Sequence, residues 1–446
     1  MDVRSIVELL DQRIITDPAI TPALLAGLSS KQRELGLVHG DRPTCPFLRP
    51  HILSAEHYNT ISSAAALIAS AFEKLVRAAL KDPTLLNKFG LTKAESHLAR
   101  IDPGYSSICV TSRLDAYCWA GGFSFLEYNA ESPAGVGDQA QLDNLLLQLP
   151  HNEELLQKYR HWIPEPHRRL LAALVAAYRE TGGEEDHPQI AIVDWSNVPT
   201  RTEFHVLKSY FESQGHPTTI ADPKELRYDG LHLYVGDFRI DILYKRVVIH
   251  EFLEQSGLDH PLVRAYTEGR VCMANSFRSK IAHKKVGFAI LSDPAYEHLF
   301  SDDELDAVRR HIPWTRAVEP GITSFHGVNQ DLLQLLVAEK QRLVLKPNDD
   351  YGGHGVFLGW ETTTEEWEDA IRLACSRPYV VQERVQVDKI RMPMYRESVM
   401  VQEMFIDLNP FLFHNVVEGG LIRVSASSLL NVTSGGGQTS LLVLED

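Results

Sequence analysis

Apolar positions along the first hundred residues recur at helical spacing. Within 62–80, Ile68, Phe72, Leu75, Val76 and Ala79 fall on one stripe, which predicts an amphipathic helix facing a core. Pro43 and Pro46 bracket a loop before it. Between about 101 and 150 the pattern shortens into strands and glycine turns, then a helix over 139–149 that Pro150 stops. Residues 151–180 return to a helical period, with Leu170, Leu171, Leu174, Val175 and Tyr178 on one side. Gly182 to Asp186 reads as a surface break. The stretch 189–195 is a buried strand, 201–214 a helix ended by Gly215, and 218–221 and 231–235 two further strands. That spacing predicts a parallel, Rossmann-like unit. After a strand at 240–244 and a helical connector, strands and helices alternate from about 270 to the end, with no internal repeat.

Composition narrows the class. The 446 residues are 44% hydrophobic and 23% charged, as expected for a globular chain of two or three domains. The formal net charge of −15 argues against non-specific binding to nucleic acid or anionic membranes. Five cysteines show neither a disulfide framework nor a CxxC metal spacing, which predicts reduced thiols. The acidic amphipathic start is unlike a signal peptide, and no apolar run has the length of a membrane span, so a cytoplasmic protein is expected.

The chemistry concentrates in four blocks. Asp115, Glu127 and Asn129 flank the turn Gly121-Gly122. On a strand, residues two apart leave the same face, so Glu127 and Asn129 share one, and a hairpin brings Asp115 beside them. Two carboxylates and an amide oxygen suit a hard divalent cation that also binds nucleotide phosphates. Far downstream, Lys346 precedes Gly352, Gly353 and Gly355 in a predicted strand–glycine loop–strand. Loop amides can approach phosphate oxygens there, with Lys346 as a point charge. The strand end at 378–385 can offer backbone groups to an adenine edge and Glu383 to a ribose or amino group. Arg423, in a strand after Gly419-Gly420, suits a guanidinium aimed at phosphate. Gly435 to Gly437 reads equally as a second phosphate loop or as a hairpin turn.

These blocks, in this order, resemble the circularly permuted ATP-grasp family, whose best-known branch is the synthetase portion of glutathionylspermidine synthase. The matching pieces are Arg113-x-Asp115 with Glu127-x-Asn129, the 240–246 run ending Tyr-Lys-Arg246, Lys346 with its glycine loop, Val380-Val-Gln382-Glu383 and Gly419-Gly-Leu-Ile-Arg423. In ordinary ATP-grasp enzymes the Glu-x-Asn pair follows the nucleotide lysine; in the permuted branch it precedes it, as here. The resemblance covers roughly 101–446. It implies an α/β (α+β) permuted ATP-grasp fold with a helical amino-terminal region (1–100), a segment carrying the metal ligands (101–187), a Rossmann-like pre-ATP-grasp subdomain (188–270) and a nucleotide-binding region (271–446).

By the same resemblance, Asp115, Glu127 and Asn129 hold Mg2+, and Arg113 contacts the transferred phosphate or a substrate carboxylate. Lys346 and Lys285 bind ATP phosphates, with Lys284 an equally placed rival of Lys285, and Gln382 and Glu383 belong to the nucleotide site. The implied reaction is an ATP-dependent ligation of a carboxylate to an amine through an acyl phosphate, releasing ADP and phosphate, with Arg113 and Arg423 in catalytic roles. The run Asn129-Ala-Glu-Ser-Pro133 departs from the family's Asn-Ala-Asp-Thr-Pro, so the acceptor is not carried over. Two other readings stand beside this one. A non-catalytic ATP-binding scaffold would share the fold without the chemistry. Gly135-Val-Gly-Asp-Gln-Ala140 also satisfies a dinucleotide fingerprint, which would suit an NAD-dependent oxidoreductase.

Overall fold

The computed structural model describes residues 2–39, 41–119, 122–396, 398–427 and 436–445. The predicted helix at 62–80 is longer, Ala55–Lys81. The Ser54 hydroxyl caps its start by accepting from the His57 N–H at 3.2 Å. It ends before Pro83, which cannot continue it and opens the next short helix instead. Its stripe Ile61, Ala65, Ile68, Phe72, Leu75 and Val76 is fully buried, and each large side chain contributes roughly 1.5–3 kcal/mol by leaving water.

That helix supports the centre of the molecule. A largely antiparallel sheet runs in the order Gly437–Thr439, Val416–Ser425, Val399–Phe413, Thr111–Trp119, Gly122–Asn129, with Lys389–Tyr395 also pairing with Val399–Phe413. Phe72 packs against Tyr128 of this sheet (ring centroids 4.7 Å apart) and against Phe288 of the helix Val286–Leu291 (5.1 Å). A Cβ on Gly287 would lie 2.5 Å from Phe72, so glycine is what lets the two helices approach. The helix Ala55–Lys81 therefore packs directly behind the strand that carries Glu127 and Asn129. The last described strand, Leu441–Leu444, pairs in parallel with His51–Ser54, just ahead of that helix, and antiparallel with His161–Trp162.

The parallel unit forms with one substitution of strands. Its order is Cys272–Ala274, Ile242–Lys245, Ile190–Val193, Thr218–Ala221. The strand expected at 231–235 is instead Leu233–Val235, the middle of a small antiparallel meander between Leu226–Tyr228 and Phe238–Ile240. The turn at Gly236, with φ of +56°, folds it straight back and leaves no length for a crossover. Asn275, just past the last parallel strand, joins this unit to the central sheet. Its side chain accepts from the N–H of Val110 (2.8 Å) and donates to the carbonyls of Thr111 (2.6 Å) and Ala130 (2.7 Å).

A second antiparallel sheet, Thr315–Ala317, Tyr379–Glu383, Leu343–Pro347, Phe357–Leu358, carries the glycine loop between its last two strands, as the sequence predicts. The helix expected at 139–149 is Val136–Leu146, and Pro150 begins a helix, Pro150–Lys158, because its missing N–H costs nothing at a first position.

Candidate active site

The hairpin Thr111–Trp119 and Gly122–Asn129 sets Asp115 directly opposite Glu127 and Arg113 opposite Asn129. Of its expected turn, Gly121 lies outside the described residues. The register shifts after Asp115, where Ala116 pairs with Phe125 and leaves Leu126 as the extra residue of a bulge. The Leu126 carbonyl then accepts from Lys346 Nζ at 3.2 Å. One cleft of about 660 Å3 is lined by Asp115, Glu127, Lys285, Lys346, Gly352, Gly353 and Arg423. The early acidic hairpin and the late lysine strand thus face each other across the same space. Gly355 and Asn129 do not line it; Asn129 stands two pairs along the hairpin from Asp115 and Glu127 and donates to Asp115 Oδ1 at 2.9 Å.

Charge in the cleft is tightly paired. Arg113 grips Asp115 with two bonds, Nε to Oδ1 at 2.7 Å and Nη2 to Oδ2 at 3.1 Å, and donates to the Ala134 carbonyl at 2.8 Å. Arg423 Nη2 reaches Asp115 Oδ2 at 2.9 Å. With Asn129, these bonds fill the four lone-pair directions of the Asp115 carboxylate, so an ion binding there displaces one of them. Burial alone would raise the Asp115 carboxyl, but Arg113 and Arg423 hold it below its usual range. Glu127 behaves alike: burial raises it, and Lys285, 2.9 Å away, more than reverses this, with Asp115 opposing and Lys346 assisting. The ionised form of both carboxylates is thereby favoured, and carboxylate oxygens are the donors a hard divalent cation takes. Here they are engaged by Arg113, Arg423 and Lys285, and the Asn129 amide is turned to Asp115.

Lys346 donates to Gln382 Oε1 at 2.6 Å, and Gln382 in turn donates to Thr315 Oγ1 at 3.0 Å. Burial pushes the Lys346 ammonium down to about 8 against the pull of Glu127. Of the two rival lysines, Lys285 faces the cleft and also donates to the Asp350 carbonyl at 2.6 Å, whereas Lys284 turns away to Asp349. Glu383 lines the cleft but is ion-paired with Arg342 at 2.7 Å, and its carboxylate also lies 2.9 Å from His326 Nε2. Arg384 stacks over Trp360 at 4.1 Å, and both line the same wall.

Sequence reasoning missed Asp407. It is fully buried in the strand Val399–Phe413, where its carboxylate accepts from Arg423 Nε at 2.8 Å and from the Arg423 N–H at 3.0 Å. Its only signal was an acidic residue amid an apolar run. The dinucleotide fingerprint is occupied from within: the N–H groups of Gly135 and Gly137 both donate to Glu203 Oε1, at 3.0 and 3.1 Å. The amides a pyrophosphate would need are taken by the chain's own carboxylate. Gly435 lies outside the described residues, and Gly437 is buried at the start of a strand beside Thr44, not at the cleft.

Residues 118–425 match the family described as circularly permuted ATP-grasp type 2. The chain belongs to that family. The permuted ATP-grasp chain is 24% identical over 458 residues to a protein of Frankia casuarinae named "Putative glutamate--cysteine ligase 2-2", which covers 94% of this chain and 50% of that protein. A relative in Frankia alni, named with the suffix 2-3, is 25% identical over 437 residues, 90% of this chain and 47% of its own. The chain thus spans about half the length of these curated relatives. Among solved structures, a glutathione synthetase-like effector, GSS30, from Globodera pallida in its apo form superposes with a TM-score of 0.63 at 14% identity, covering 96% of this chain and 97% of that one. This likeness places the ATP-grasp chain in a shared overall fold.

Proposed function

We propose that this chain is an ATP- and Mg2+-dependent carboxylate–amine ligase that forms an amide through an acyl phosphate and releases ADP and phosphate. The observation that carries the reading is the meeting of Asp115 and Glu127 with Lys285, Lys346 and the glycine loop around one cleft. Phosphoryl transfer from ATP to a carboxylate needs positioning and neutralisation of phosphate charge more than covalent help from the protein. Lys285, Lys346 and Arg423 bring three cations to the cleft for that task. Glu127 and Asp115 would hold the metal, with Asn129 supporting Asp115 from beside the cleft; the ion when bound would neutralise charge on the phosphate oxygens. Arg113 serves by fixing Asp115, to which it is doubly bonded.

The adenine would lie against the segment Arg384 to Val387 and Trp360, which line the cleft beside the glycine loop. The names of the Frankia relatives put glutamate and cysteine first among the carboxylates and amines to try. The test is a screen of carboxylate and amine pairs for ADP release with ATP and Mg2+. ADP release that depends on both partners, with an amide product found by mass spectrometry, supports a ligase. Nucleotide binding without turnover across a broad screen favours a scaffold.

A further inference from the structure

Behind the glycine loop lies a set of buried charges that the reading above does not use. Lys280 is 0% exposed, and its Nζ stands 2.7 Å from Glu131 Oε1, 2.7 Å from Asp349 Oδ1 and 3.7 Å from Glu95 Oε1. Lys284, one turn on, pairs with Asp349 at 2.6 Å and Glu95 at 3.5 Å. The other Glu131 oxygen accepts from the Ile249 N–H at 2.7 Å. Glu131, His283 and Asp349 offer ligand atoms within 4.8 Å of one another, but the Lys280 ammonium sits between the two carboxylates and acts as their built-in cation. Burial would lower that ammonium; Glu131 and Asp349 more than reverse it.

The two carboxylates belong to opposite halves of the site. Glu131 follows the metal hairpin by two residues, and Asp349 begins the glycine loop. We propose that Lys280 is a positioning residue for nucleotide binding: it ties the hairpin's exit to the loop's root and so fixes where the loop amides stand relative to Asp115 and Glu127.

The surrounding contacts agree. The loop root is held at three successive residues, by Asn348 Oδ1 accepting from the Val286 N–H at 2.9 Å, by Lys280 and Lys284 on Asp349, and by Lys285 on the Asp350 carbonyl at 2.6 Å. Beyond Asp350 the loop is exposed, with φ of +69°, +80° and +66° at Gly352, Gly353 and Gly355. A fixed root under a pliable tip lets the tip adapt to phosphate only while the root holds its place.

The nature of the ligand rests on the ligase reading; the clamp itself does not. The experiment therefore has two readouts on the whole chain. Calorimetry compares ATP with Mg2+ against adenosine, which has no phosphate for the loop to hold. Hydrogen exchange without nucleotide follows amides 349–356. Lys280→Met is expected to weaken ATP binding tenfold or more, to change adenosine binding less than twofold, and to speed loop exchange at least tenfold while strands 190–193 and 242–245 keep their protection. Lys280→Arg should restore most of both. Asp349→Asn, which cuts only the loop side, should act in the same direction and decides the matter if Lys280→Met does not fold. Unchanged loop exchange, or equal losses for ATP and adenosine, overturns the proposal. Absence of ATP binding by the unmodified chain would refute the ligase reading instead, with loop exchange still deciding the clamp.

Discussion

Arg423 and Asp115 stand 308 positions apart in the chain and share a 2.9 Å hydrogen bond at the cleft. Each has a second tether, Arg423 to Asp407 and Asp115 to Arg113, so the four side chains form a line of alternating charge. Asp407 is 0% exposed and has Arg423 as its cationic partner. Burial pushes the Asp407 carboxyl up against the pull of Arg423. Removing one charge of a buried pair strands the other. Asp407→Asn is expected to lower unfolding free energy by on the order of 3 kcal/mol, read by urea denaturation, and to weaken ATP binding because Arg423 loses its fixed aim. A change within experimental error would show that Arg423 needs no such support.

In the proposed reading Glu127 would be a ligand of the metal. Glu127→Gln keeps the size of the side chain and removes its charge, so the fold should survive with unchanged circular dichroism. ADP release should fall by about 100-fold or more, the scale of losing one electrostatic contact to a developing charge. Full turnover in this variant would remove the metal assignment.

Lys346 gives a pH test with two opposite signs. In the folded chain burial pushes its ammonium down to about 8, whereas an unfolded lysine titrates at about 10.4. Between those values the unfolded state binds more protons, so this group makes stability rise with pH across the window. Phosphate binding needs the charged form, so ATP affinity should fall as pH rises through about 8. Lys346→Arg, charged throughout, should flatten the affinity profile. A wild-type affinity constant from pH 7 to about 9.5 would refute it.

Lys284 and Lys285 are neighbours with separate tasks. Lys285→Ala should weaken ATP binding about tenfold, the scale of a charge-assisted hydrogen bond, since its ammonium faces the cleft beside Glu127. Lys284→Ala should act mainly on stability, because it leaves Asp349 and the buried Glu95 short of a partner. Thermal melts and calorimetry on both variants check this; the reverse pattern would exchange their roles.

Much of the site was legible because its signals are local. A period of two put Glu127 and Asn129 on one face, and the glycine run after Lys346 marked a loop between strands, which is what Leu343–Pro347 and Phe357–Leu358 enclose. The choice between Lys284 and Lys285 was not legible. They are adjacent on the chain, and only the packing of helix Ser279–His283 decides which one turns to the cleft. Asp407 and Lys280 were passed over, and Glu131 was noted only as a departure from a family motif, for the same reason: a buried charge is explained by its partner, and their partners lie far along the chain.

The sequence by itself determined which elements form and the order in which the chemistry appears, because strand alternation, helix stripes and glycine turns act over a few residues. It also carried the permuted arrangement, with the acidic hairpin ahead of the nucleotide lysine. The tertiary structure alone decided how charges pair: Arg113 spent on Asp115, Glu383 on Arg342, the fingerprint amides on Glu203. Those pairings follow from burial, which makes an unpartnered charge costly and so fixes each ion beside whichever distant neighbour the packing brings within reach.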